Sequence, residues 1–172
     1  MISHRDRVRR QQLVLQAEGY LELGMAGHAL ETLSRWGDSD TLPDHVLYLK
    51  GQVLRELGRF GEALEPLARA AQGDPDNISA WLALGWCYKR TGKLDRAIES
   101  LEEALTVEPN DALVHYNLAC YWSLAENKQQ ALAYLARALD LQDEYRGLVA
   151  AEPDFDPLRN DPRFQALVKV TV

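Results

Sequence analysis

Small and apolar side chains return along this chain at a fixed interval, and that interval predicts paired helices. With Arg10, Asp44, Ile78 and Ala112 as the first residue of each copy, position 8 reads Ala17, Gly51, Gly85 and Ala119. Position 11 reads Tyr20, Leu54, Tyr88 and Trp122; position 20 reads Ala29, Ala63, Ala97 and Ala131; position 24 reads Leu33, Leu67, Leu101 and Leu135. Four copies of 34 residues, 10–43, 44–77, 78–111 and 112–145, follow one another without insertion or deletion. A period of this size marks stacked supersecondary units that bury a shared core. Each copy reads as two helices of about a dozen residues, giving eight helices joined by short turns and no strand.

Each repeated position has a physical role. Small residues at positions 8 and 20 let two antiparallel helices approach closely, while the large residues at positions 11 and 24 fill the space beside them. Position 15 holds Gly24, Gly58 and Gly92, suited to the left-handed backbone that ends a helix. The fourth copy has Glu126-Asn127 there, and Asn is the next most tolerant residue for that geometry. Pro75 and Pro109 stand where a second helix must stop, within the turn clusters Asp-Pro-Asp-Asn and Glu-Pro-Asn-Asp.

The third copy carries Trp81, Leu84, Gly85 and Tyr88, followed by Ala97, Leu101 and Pro109. This resembles the tetratricopeptide-repeat (TPR) signature W-x2-L-G-x2-Y…A-x3-F…P, with leucine in place of phenylalanine. The resemblance implies a single all-α domain over residues 1–172, a right-handed α-solenoid of helix-turn-helix repeats. The end copies depart from the pattern: Gln16 and Trp36 replace the usual residues in the first, and His115 stands in the fourth where the third has Trp81. Terminal repeats face water on one side, and Trp36 reads as a space-filling residue of the first pair. Beyond residue 145 the period stops. Leu148, Val149 and Ala150 suggest a further helix, and Phe155, Leu158, Phe164 and Leu167 alternate with Pro153, Pro157 and Pro162. That segment is similar to the closing part of many bacterial TPR proteins, and residues 146–172 read as a helical cap offering aromatic plugs to the last repeat.

Once the packing positions are assigned, others are left over. In the family, chiefly positions 2, 5, 9, 12 and 13 of each first helix line a concave groove, which here nominates Val14, Tyr48, Gln52, Arg55, Leu82, Trp86, Lys89, Arg90, Leu113, Tyr116 and Cys120, with Asn117 at the adjoining position 6. Aromatic anchors beside Arg55, Lys89 and Arg90 suit an extended or helical peptide, with acidic groups pairing to the cations. The alternative is that Trp86 and the tyrosines pack on neighbouring helices or lie under the chain's own tail. TPR co-chaperones that grip heat-shock-protein C-termini need Lys, Asn, Asn, Lys and Arg at five set positions. This chain offers Val14, Glu18, Leu49, Ser79 and Ala83, or Tyr48, Gln52, Ala83, Leu113 and Asn117, so that clamp is not expected.

Composition narrows the rest. Hydrophobic residues make up 47% of the chain and charged residues 26%, as in a folded globular protein. A net charge of -7 disfavours nucleic acid and anionic membrane as partners. Arg5, Arg7, Arg9 and Arg10 make one end basic, and Asp140, Asp143, Glu144, Glu152, Asp154, Asp156 and Asp161 make the other acidic; both read as solvated ends. No apolar run is long enough to span a membrane and no secretory signal is legible. With only Cys87 and Cys120 there is no disulfide framework, and a cytoplasmic location is expected. His4, His28, His45 and His115 share no ligand spacing, and no phosphate-binding loop or nucleophile motif is present. Neither a metal, a cofactor nor an enzymatic activity is therefore expected. The reading is an adaptor or chaperone-like scaffold binding a protein or peptide. The alternatives are a subunit of a larger or self-associated assembly and a type III secretion translocator chaperone.

Overall fold

In the computed structural model, residues 3–37 and 42–169 are described; the linker positions 38–41 and the last three residues of the expected cap lie outside them. Among the described residues every regular element is a helix. The chain forms two compact units, Met1–Thr91 and Gly92–Val172.

The first unit contains α1 (His4–Glu22), α2 (Ala26–Ser34), α3 (Asp44–Glu56), α4 (Phe60–Gly73) and α5 (Ile78–Arg90). Helices α3 and α5 begin on the first residue of their repeats, as the period predicts. Helix α1 starts six residues ahead of its repeat, because Ser3 Oγ accepts from Asp6 N at 3.1 Å and Asp6 sits in the positive first turn. The arginine-rich end is thus helical. Arg5, Arg7 and Arg9 are exposed, and the Arg10 guanidinium lies 5.2 Å from the centre of the Trp36 ring. Trp36 is buried in the first core with Leu13, Ala17, Ala29, Leu33, Val46 and Val53, the space-filling role expected of it. A second core gathers Leu54, Ala63, Leu67, Ala80, Ala83, Leu84 and Cys87. At its centre a Cβ on Gly51 would stand 2.4 Å from Cγ and Cδ2 of the fully buried Leu67. Position 8 is small because helix packing leaves no room there. Helix α4 runs through the buried Pro66, which supplies no N–H to the helix.

The second unit contains α6 (Leu94–Val107), α7 (Ala112–Leu124) and α8 (Lys128–Leu141). A 3-10 turn (Asp143–Tyr145), the short α9 (Arg146–Val149), a second 3-10 segment (Pro153–Leu158) and α10 (Pro162–Val168) follow. Helix α7 packs on α6 and α8, and the Pro153–Leu158 segment returns across α7. Phe155 and Leu158 are wholly buried.

Helix ends follow local chemistry. Asn77 Oδ1 accepts from Ala80 N at 3.1 Å to start α5, and Asp111 Oδ1 accepts from Val114 N at 2.9 Å to start α7. Gly24, Gly58 and Gly92 end first helices at φ of 71°, 70° and 75°. In the fourth repeat the left-handed residue is Glu126, at φ 60°, and not the more tolerant Asn127. Asn127 is committed elsewhere: it caps α8, its Oδ1 accepting from Gln130 N at 3.1 Å.

Candidate functional site

Helical spacing divides α5 into two faces. Ala80, Ala83, Leu84 and Cys87 point into the core, and Leu82, Trp86, Lys89 and Arg90 form the opposite stripe. Tyr48, Gln52 and Arg55 make the corresponding stripe on α3, which packs beside α5. Within the first unit these seven nominated residues come together.

Trp86 is the focus of this face. It remains 36% exposed, unusual for the largest apolar side chain. Its ring meets Phe60 edge-on, centroids 5.0 Å apart and planes at 85°. The Arg55 guanidinium lies 5.7 Å from the Trp86 ring centre and that of Arg90 lies 5.5 Å from it. Arg90 also stands 4.9 Å from the Phe60 ring. Cation–π attraction holds both guanidinium groups against an aromatic surface. Arg55 contacts Glu56 at 3.5 Å, a long and exposed pair. Gln52 donates from Nε2 to Tyr48 Oη at 2.9 Å, fixing the two polar tips on the α3 stripe. Beneath Trp86, burial pushes the Cys87 thiol up from 9.0 to about 11, opposed by the positive charge of Arg55. A thiol so placed stays protonated and inert.

Val14 lies apart from this cluster, half-buried against the first core in a recess with Arg10, Trp36 and His45. In the second unit Leu113 is exposed and Asn117 half-buried. Tyr116 and Cys120 do not form an accessible lining: both are buried, at 6% and 3% exposure. The Tyr116 ring stacks on Tyr145 at 5.0 Å and takes Phe155 edge-on at 5.6 Å, and Phe155 in turn touches Phe164 at 5.7 Å. The tail therefore covers the face on which Tyr116 was expected to hold a ligand. Burial above all, with nearby negative charge, raises the Tyr116 phenol far above its ordinary range. Its Oη finds no hydrogen-bond partner among the described residues.

Phe60 was absent from the nominated residues. It stands at position 17, which lies outside the lining pattern and reads Ala26, Leu94 and Lys128 in the other copies. An aromatic residue at a position otherwise aliphatic or polar was the available signal. Among the described residues no three His, Cys, Asp or Glu side chains converge as a metal site. No described helix is long and apolar enough to cross a membrane.

Two Tetratricopeptide repeat family models match the sequence, one over residues 14–78 and the other over residues 54–119. The chain belongs to the tetratricopeptide-repeat family. No curated protein matches it. Among solved structures, MamA aligns with a TM-score of 0.73 at 21% identity, over 80% of this TPR chain and 80% of that one. YrrB, described as a TPR protein with an unusual peptide-binding site, aligns with a TM-score of 0.72 at 25% identity, over 78% of this chain and 70% of its own. TTC0263, a thermophilic TPR protein in Thermus thermophilus, aligns with a TM-score of 0.64 at 23% identity, over 82% and 77% of the two chains. The MamA and TTC0263 likenesses speak for the fold. TPR repeats are in general a non-enzymatic protein-interaction architecture.

Proposed function

We propose that this TPR protein is a cytoplasmic adaptor that captures a peptide segment of a partner protein on the α3–α5 face, and that it performs no catalysis. The observation that carries the reading is Trp86: exposed, braced by Phe60 and flanked by the guanidinium groups of Arg55 and Arg90. A rigid aromatic ring with a polar rim is the composition of a binding hot spot. Leu82 and Tyr48 extend the apolar area on either helix, and Gln52, Lys89 and Arg90 supply polar contacts. The peptide-binding site named for YrrB, a relative in fold, supports the same use of the architecture. Two buried free cysteines fit a reducing compartment.

Of the nominated residues, Tyr116 and Cys120 are buried and Val14 lies apart from the cluster. Tyr116 is core, so its replacement by alanine would disturb folding and would not report on binding. Panning a random-peptide display library on the full chain and on Trp86→Ala tests the reading. Peptides enriched on the parent are expected to bind the variant roughly thirtyfold or more weakly, with helicity by circular dichroism unchanged. Equal enrichment on both chains would remove this face as the binding surface.

A further inference from the structure

Resting on that reading, we infer that the segment taken by the α3–α5 face is acidic: an extended peptide whose Asp or Glu carboxylates engage Arg55 and Arg90 while an adjacent apolar side chain lies on Trp86 and Leu82.

The inference starts from what the two arginines have already committed. A guanidinium attracted to an aromatic ring can still keep N–H donors for a carboxylate. Arg90 lies 5.5 Å from the Trp86 ring centre and 4.9 Å from that of Phe60, is exposed, and has no carboxylate or carbonyl partner among the described residues. Arg55 stands 5.7 Å from the same ring, and its contact with the Glu56 carboxylate, at 3.5 Å, is too long for a strong charge-assisted bond. Two cations therefore stand beside one indole, and neither is tightly paired to a carboxylate among the described residues. A planar carboxylate matches the fork of each, and it relieves the repulsion between them.

The background charge sharpens the preference. A chain of net charge -7 disfavours an acidic segment in general, so a local pair of cations with Lys89 alongside supplies the attraction such a ligand needs on this face. The last turns of α3 and α5 end here, with Arg55, Lys89 and Arg90 within them. Helix C-termini carry partial negative charge, which suffices to explain cations at these positions on structural grounds alone. It does not explain why two of the three are laid on the exposed tryptophan. It does imply that without the guanidinium groups the site would reject an anion.

The ring seating also decides the second half of the ligand. Trp86 and Leu82 offer an apolar strip beside the cations, so a purely acidic run would leave that strip wet. Acidic residues interleaved with large apolar ones satisfy both.

The same random-peptide library, panned on the full chain, on Arg55→Gln/Arg90→Gln and on the surface control Arg96→Gln, provides the test. Arg96 is an exposed residue of α6 outside the face. The expected result is a parent pool enriched in Asp and Glu next to aromatic or aliphatic residues. Individual members should lose roughly tenfold or more in affinity on Arg55→Gln/Arg90→Gln and nothing on Arg96→Gln. Glutamine versions of those members should bind parent and double variant alike. A Trp86-dependent pool that is neutral or basic would overturn the acidic ligand and leave the binding face standing. A pool indifferent to both Trp86 and the arginines would overturn the face itself, and the ligand with it.

Discussion

Glu126 occupies a backbone position that three glycines hold elsewhere in the chain. Its φ of 60° places Cβ in the left-handed region, where it crowds the carbonyl that follows. Glu126→Gly is expected to raise stability by about 0.5–1 kcal/mol, the strain relieved less the extra freedom gained by the unfolded chain, read as a higher urea midpoint at constant slope. A lower midpoint would mean that the Glu126 side chain makes compensating contacts. The turn itself was legible from Gly24, Gly58 and Gly92, but which residue would carry the strain was not. Propensity favours Asn127 for the left-handed turn, yet capping α8 wins its side chain. His115 teaches the opposite lesson. It breaks the sequence signature and keeps its physics: Trp81 Nε1 donates to the Pro75 carbonyl and His115 Nε2 to the Pro109 carbonyl, each at 2.9 Å across six residues. A ring N–H aimed back at the preceding turn is what the position requires, and imidazole supplies it as indole does.

At the scale of elements, periodicity revealed α3 to α8 because each repeats the same packing constraint. The tail obeys no period, so its contacts could be named only as plugs for the last repeat. Their target, α7, is set by a return over some forty residues of chain. Phe155 is the test of that return. It is wholly buried between Tyr116 and Phe164, and Phe155→Ala is expected to cost about 3–5 kcal/mol. Hydrogen exchange should then rise through α7 and the tail while α3 and α5 keep their protection. A variant with unchanged exchange in α7 would show that the tail does not hold that face. Helix α5 illustrates what was legible of the site: the family's lining positions nominated Leu82, Trp86, Lys89 and Arg90, which lie on the face opposite its buried residues. Phe60 was not nominated, because it reaches Trp86 from the start of another helix.

Across the whole molecule, buried thiols offer a readout of folding that needs no ligand. The Cys87 thiol is held at about 11 in the folded chain against an ordinary 9.0, chiefly by burial. Its ionisation is therefore easier in the unfolded chain. The stability it protects is complete below about 9 and declines as pH rises toward 11. Iodoacetamide at mildly alkaline pH is expected to label Cys87 only as fast as the chain opens, accelerating with urea; immediate labelling of the folded protein would contradict its burial. The repeats thus account for most of the apolar side chains, and the α3–α5 face, where Trp86 stands exposed, is the proposed binding surface. Hydrogen–deuterium exchange with a peptide selected on the parent chain tests that most directly. The account predicts new protection in Asp44–Glu56 and Ile78–Arg90, with Ala112–Leu124 unchanged. Protection centred on Ala112–Leu124, with the Trp86 helix unaffected, would contradict it.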